Sequence, residues 1–313
     1  MRYTVEPWSP SFGSPNQLDG STPQTQSTAE LKLDVELPVD SWRPLPARTD
    51  LAPPPAVLLV DGVRRIDAYL WIEDDDGASY PAVAASYAAG VVRCDLRRRV
   101  ADVLHHRVRR GLFTAAPGAT AIGEYEPQHA KGSRHEDVVK AVQPAMLALE
   151  LVVSEEVRKS TVDDDDLLVT DGPLRGRHRL ARTVGYIKTL ETDYLCQPQA
   201  KVVTGCRPGE RSPVFLTGPQ WPHYSWYVRL PGRGGHPWAG MVRVQGSPDL
   251  TPQQAAALAD RSTVTLPRFA STGYKDPRAP QNLVPVAGLE RKLRNLLGDP
   301  RLLHRTLTKA SVG

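Results

Sequence analysis

Cysteine is scarce in this chain: three of 313 residues, Cys94, Cys196 and Cys206, far apart and odd in number. With no Cys-x-x-Cys pair there is no zinc or redox motif to build on, and all three read as buried or inert thiols. Long apolar runs are also missing. No segment approaches the roughly 18 uninterrupted apolar residues that span a bilayer. The start, Met1-Arg2-Tyr3-Thr4-Val5, lacks the apolar centre of a signal peptide. The expectation is a cytoplasmic protein with no membrane partner. Neither sign of charge dominates: 39 basic residues face 35 acidic ones, for a net charge of +4 and a pI near 9.0, which favours a polyanionic partner only weakly. What remains is a globular composition, 40% hydrophobic and 24% charged, with room for one large α/β domain or two ordinary ones.

Within that composition one stretch organises the rest. Ala56-Val57-Leu58-Leu59-Val60 is a continuous apolar run that enters Asp61-Gly62, and Leu167-Leu168-Val169-Thr170 enters Asp171-Gly172-Pro173-Leu174 in the same way. Runs of this kind read as strands buried on both faces, where an ionised carboxylate is costly unless something compensates it. Two such carboxylates suggest a shared cation, since clustered acids repel one another without one. Taken singly, each Asp-Gly reads more simply as a turn capping its strand.

Before the first acidic strand, residues up to about Thr28 are rich in Ser, Pro, Gln and Gly and read as an irregular arm. Leu31 to Leu37 alternates with period two, as an edge strand does, and a proline-rich connector carries the chain to Ala56. After Asp61, Ala68 to Ile72 and Ser79 to Val92 read as strands joined by Glu73-Asp74-Asp75-Asp76-Gly77, a hydrated hairpin turn. Arg97 to Leu112 is expected to be a basic helix. Val138 to Arg158 repeats apolar residues at helical spacing, with Pro144 kinking the helix or marking its start. Glu150 lies at the edge of that apolar face, between Met146 and Val153; Glu155 and Glu156 lie about a turn later and read as solvated. Asp163 to Asp166 reads as a solvated loop, and Arg179 to Thr189 as a further helix.

Three meandering strands, a helix carrying Glu, a strand ending in Asp and another helix follow the order of a ribonuclease H-like fold. The sheet is expected to be mixed and flanked by helices, with additional C-terminal strands and a closing helix. The first-strand Asp61-Gly62, the helical Glu150, the later Asp171-Gly172-Pro173-Leu174 and Val184-Gly185-Tyr186-Ile187-Lys188 together resemble the NurA nuclease family, over roughly residues 55 to 305. The domain reading is an arm with an edge strand over 1–54 and a NurA-like domain over 55–313.

The resemblance implies a DNA nuclease that depends on Mn2+ or Mg2+, works as a homodimer and serves DNA end processing beside a HerA-type hexameric ATPase. It implies Asp61, Glu150 and Asp171 as metal ligands, with Glu155 or Glu156 replacing Glu150 on a small slip of register. The segment Tyr274 to Asn282 is the candidate for a further catalytic position, at Asp276. Oxygen ligands suit these hard cations, which activate water and neutralise the leaving oxygen in phosphodiester hydrolysis. Arg175, Arg177 and Arg182 are candidates to hold the DNA backbone, and Lys188 to touch a phosphate; an exposed surface role is the plainer alternative for each. Trp221, Tyr224, Trp226, Tyr227 and Trp238 suit base stacking or, more simply, core packing. Thr251 to Asp260 reads as a capped helix and Leu283 to Leu297 as a closing helix lying over the sheet near Asp276. Two other readings stay open: a subunit of this fold that binds DNA without chemistry, and a ribonuclease.

Overall fold

The computed structural model describes residues 31–161, 165–190, 194–218, 222–232 and 235–311. The irregular arm, part of the acidic run before Asp165, and Trp221 lie outside them. The described residues form a mixed α/β architecture in two compact units. The first takes residues from 31–59, 94–101 and 165–287, and the second from 60–93, 102–161 and 288–311. No helix among them is long and apolar enough to cross a membrane.

In the first unit the strands are β1 (Leu31–Lys32), β2 (Leu45–Pro46), the start of β3 (Ala56–Glu73), β7 (Asp166–Asp171), β8 (Thr183–Ile187), β9 (Glu210–Arg211), β10 (Phe215–Thr217), β11 (His223–Arg229) and β12 (Met241–Gly246). Their order is β1-β10-β11-β12-β8-β7-β3, with β9 joining β11 to β2. β7 and β8 run parallel, Asp171 beside Tyr186, whereas β8 and β12 run antiparallel, Gly185 beside Gln245. The edge strand expected over Leu31–Leu37 is present but short. Trp42, Phe215, Tyr227 and Met241 anchor the core of this unit, and Trp226 is buried with its indole N–H donated to Ser262. Tyr224, Trp226 and Tyr227 are therefore packing residues. The short helix α2 (Gln199–Gly205) and α3 (Pro252–Thr265) belong here too. Thr251 caps α3 in a reciprocal box with Gln254, as the sequence led one to expect.

The second unit orders its strands β3-β4-β5-β6, with β4 (Ser79–Asp95), β5 (Val100–Thr114) and β6 (Glu126–His129). β3 is one strand of 18 residues, so Asp61 lies within it rather than at its end, and Ala68–Ile72 is its continuation. The acidic joint is the hairpin turn expected: Asp74 accepts from the Gly77 N–H, and Gly77 takes a positive φ of 79°. Helix α1 (His135–Ser160) starts earlier than its apolar repeat and carries Pro144 inside it. Helix α4 (Val284–Leu296) closes over the second unit, where Leu289 and Leu293 lie on Gly90 of β4. A last helix, α5 (Pro300–Ala310), sets Leu307 against Ala82, Ala84, Leu112 and Tyr125.

Two expected helices are strands. Arg97–Leu112 is most of β5; its apolar residues Val100, Leu104 and Val108 recur every four positions, as on a helix, and Val100 and Leu104 are exposed, so pairing in the sheet rather than a local pattern makes this segment a strand. Arg179–Thr189 contains β8, whose Thr-Val-Gly-Tyr-Ile is buried throughout. A buried run this short has no periodicity to read, and its β-branched residues with a glycine suit a strand. Of the thiols, Cys94 and Cys206 are buried, and burial pushes each up to about 12, while Cys196 is exposed.

Candidate functional site

In the first unit the parallel pair β7/β8 sets Asp171 at a strand end. Gly172 follows with a φ of 111°, a backbone conformation that favours glycine, so the chain turns away at once. The turn packs against Gly185 so closely that a Cβ there would lie 2.7 Å from the Leu174 nitrogen. The Leu174 N–H is donated at 3.1 Å to the side chain of Gln245, which neighbours Gly185 on β12. These contacts fix where the Asp171 carboxylate sits.

That carboxylate accepts from the Lys188 ammonium at 2.5 Å, and the pair is largely sheltered, with 12% and 13% of the side chains exposed. Lys188 also donates to the Asn282 amide oxygen at 3.0 Å, and the Asn282 amide nitrogen donates to Asp276 at 2.5 Å. The phenol of the buried Tyr186 donates to the Gln281 carbonyl at 2.6 Å, which ties the segment carrying Asn282 to β8. Burial, and then the charge of Asp171, push the Tyr186 phenol well above its ordinary value, so it stays a donor. Three segments distant in sequence thus meet in one polar chain, Asp171–Lys188–Asn282–Asp276. Asp171, Lys188 and Asp276 are the residues the sequence singled out. Asn282 closes the segment that carries Asp276; its signal is the polar Gln281-Asn282 pair, wholly buried just before the closing helix.

In the second unit Glu150 is buried at 3% exposure, whereas Glu155 is exposed. Glu156 is held at the surface by Arg107 and His105 at 2.7 and 2.6 Å, and those partners lower its carboxyl to about 2. Glu150 lies over Gly62: a Cβ at that position would meet its Oε1 at 2.7 Å and Met146 at 3.0 Å. Arg64, two residues on, donates to Gln143 of the same helix. Successive strand residues point to opposite faces, so the α1 face of β3 carries Gly62 and Arg64, and alternation turns Asp61 to the other face with Val63 and Arg65. Arg65 accordingly reaches Asp67 and the Gly298 carbonyl. Gly62 is thus the residue of the dipeptide that packs directly beneath the helical glutamate.

The basic candidates separate as well. Arg175 is exposed, and Arg177 is buried at 3% exposure, which removes it as a contact for a DNA backbone. Arg182 donates to the buried Asp166 at 3.3 Å. Lys188 sits beyond a strand and spends its ammonium on Asp171 and Asn282 rather than standing on an exposed helix.

Among the described residues no group of three or more His, Cys, Asp or Glu side chains is arranged to hold a metal ion. Asp171, Asn282 and Asp276 carry hard oxygens, with the Lys188 ammonium between Asp171 and the Asn282 oxygen and the Asn282 amide nitrogen turned to Asp276. A Mg2+-type cation commonly binds one or two carboxylates and completes its shell with water and phosphate oxygens, so the donor chemistry around Asp171 and Asp276 fits such an ion.

No protein-family model and no curated protein matches the chain. Among solved structures, endonuclease V from Bacillus subtilis aligns with a TM-score of 0.35 and 13% identity, over 79% of this chain and 86% of that one.

Proposed function

We propose that the chain is a cation-dependent DNA nuclease of the NurA type, with Asp171 and Asp276 as its central carboxylates. The observation that carries this reading is the sheltered chain Asp171–Lys188–Asn282–Asp276. Sheltered charges this interdependent are expensive to keep for stability alone, and they are common where a charged substrate must be held. Asp171 and Asp276 would hold Mn2+ or Mg2+. The cation, when bound, supplies water activation and relief of charge on the leaving oxygen. Lys188 holds the Asp171 carboxylate in place, and offers an ammonium to a phosphate oxygen or the departing hydroxyl. Asn282 keeps Lys188 and Asp276 in register. Asp61 is the first-strand carboxylate that the NurA resemblance implies, and Arg175 is the exposed cation best suited to backbone phosphate. The same resemblance makes a second copy of the chain and a HerA-type hexameric ATPase its partners in DNA end processing.

A second reading has an observation in its favour: Lys188 already neutralises Asp171, as in a subunit that binds DNA without cutting it. One assay separates the two. Labelled single- and double-stranded DNA, and RNA of the same sequence, are incubated with the full chain in Mn2+, Mg2+ or chelator. Cleavage of DNA that chelator abolishes is the expected result. Salt-sensitive DNA binding with no cleavage in either cation would establish the clamp, and cleavage confined to RNA a ribonuclease.

A further inference from the structure

A cavity of about 940 Å³ opens in the first unit, outside the polar chain around Asp171, lined by residues on both sides of β11 and by the segment from Ala270 to Pro280. Its walls are Leu230, Pro280 and other apolar surface, with Tyr274, 83% exposed, at its rim. Its charged residues are both cationic: Arg207, exposed, and Arg229, partly buried. Arg229 donates to the carbonyls of Ala239 at 2.5 Å and Thr204 at 3.0 Å and to that of Pro237, and its Nε–H has no partner. Among the described residues no carboxylate pairs with it, and burial pushes its pKa down, the mark of a cation lacking a counter-charge. Ser271, 6% exposed, lies in the cavity wall with its own hydroxyl buried. The cavity therefore combines Arg229, a cation with no carboxylate partner among the described residues, with the exposed Arg207, apolar walls and one exposed aromatic ring, over one face of which Lys275 lies at 5.4 Å.

We propose that this cavity binds a nucleotide bearing a terminal phosphate, with the phosphate toward Arg229 and Arg207 and the base against Tyr274 and the proline-lined wall. A phosphate supplies the missing counter-charge and accepts from guanidinium donors. A base stacks on an exposed tyrosine whatever its identity. The volume lies at the upper end of the range of small-molecule sites and accommodates one nucleotide with room for the chain that follows it. The nucleotide has two sources, a free mononucleotide or the phosphorylated end of a strand. The inference rests on the nuclease reading only for the second.

The test is calorimetric titration of the full chain in chelator with dAMP, deoxyadenosine, inorganic phosphate and a short 5′-phosphorylated oligodeoxynucleotide. dAMP is expected to bind saturably, with phosphate and deoxyadenosine each at least tenfold weaker. Arg207→Ala and Tyr274→Ala, both at exposed positions, should each weaken dAMP at least threefold. Asp171→Asn should leave dAMP binding unchanged, so this site stands or falls apart from cleavage. An oligodeoxynucleotide bound at least as tightly as dAMP identifies a strand end as the source; dAMP bound tenfold better identifies a free nucleotide. No saturable dAMP binding, binding untouched by both cavity variants, phosphate alone binding as well as dAMP, or dAMP binding lost in Asp171→Asn would each overturn the proposal.

Discussion

The chain carries Asp-Gly twice after an apolar strand, at Asp61-Gly62 and Asp171-Gly172, and gives the two dipeptides different backbones. At Asp171 the strand stops: Gly172 takes a φ of 111°, and the carboxylate meets Lys188 and, through it, Asn282 and Asp276. At Asp61 the strand runs on to Glu73, and Gly62 serves as a gap beneath Glu150 and Met146. The same two letters thus make a turn in one place and a close helix–strand contact in the other. What decides is the following residues. Pro173 cannot donate to a strand ladder, while Val63-Arg64-Arg65-Ile66 continues one.

The largest effect that would sharpen this contrast is on cleavage. Asp61→Asn should lower the rate by roughly 10²–10³-fold, the scale of losing one charge-stabilising group. Glu150→Gln, on the other face of β3, should lower it less than tenfold. Single-turnover cleavage rates decide, and equal large losses for both would mean that alternation along β3 misassigns Asp61.

Next comes stability. Lys188→Met leaves the sheltered Asp171 without its cation and should cost about 3 kcal/mol, the scale of breaking a buried pair, read from denaturant unfolding. Removing Asp171 as well should restore part of that loss, because the uncompensated charge goes with it.

The glycines test the contrast directly. Gly185→Ala pushes a Cβ to 2.7 Å from backbone at Leu174 and should destabilise by about 1–3 kcal/mol. Gly172→Ala, with open space around it but a strained φ, should cost about 1–2 kcal/mol. Gly62→Ala meets first the movable end of Glu150 and should cost least, about 1 kcal/mol. A Gly62→Ala loss exceeding that of Gly185→Ala would contradict these roles.

The smallest effect is at Glu156. Arg107 and His105 hold its carboxyl below the ordinary value of 4.5, at about 2, so its contribution is present above about 4.5 and fades as pH falls through about 2. Melting midpoints of wild type and Glu156→Gln between pH 5 and pH 2 should converge on acidification. A gap that widened instead would reverse the sign of this linkage.

Much of the frame was legible in sequence because it is periodic or punctuated: the acidic hairpin turn, the apolar face of α1, the capping box at Thr251 and the closing helix all signal locally. β5 and β8 are not legible as strands in sequence because arginine-rich or short buried segments carry ambiguous local signals that sheet partners resolve. The site was half legible. Asp171, Lys188 and Asp276 stood out by type and neighbours, but their junction through Asn282 depends on Tyr186 holding the Gln281 carbonyl, a contact between residues far apart in the chain. The burial of Arg177 and the close packing of Gly62 beneath Glu150 are invisible in sequence for the same reason: exposure and facing are set by partners elsewhere.

The most direct test of the central claim is Asp171→Asn, read three ways in one preparation: DNA cleavage in Mn2+, DNA binding in chelator, and the denaturant midpoint. Cleavage should fall by at least about 10²-fold, while binding stays within about twofold, as phosphate contacts elsewhere carry it, and cooperative unfolding persists. Cleavage near the wild-type rate in a folded, DNA-binding Asp171→Asn protein would contradict the account.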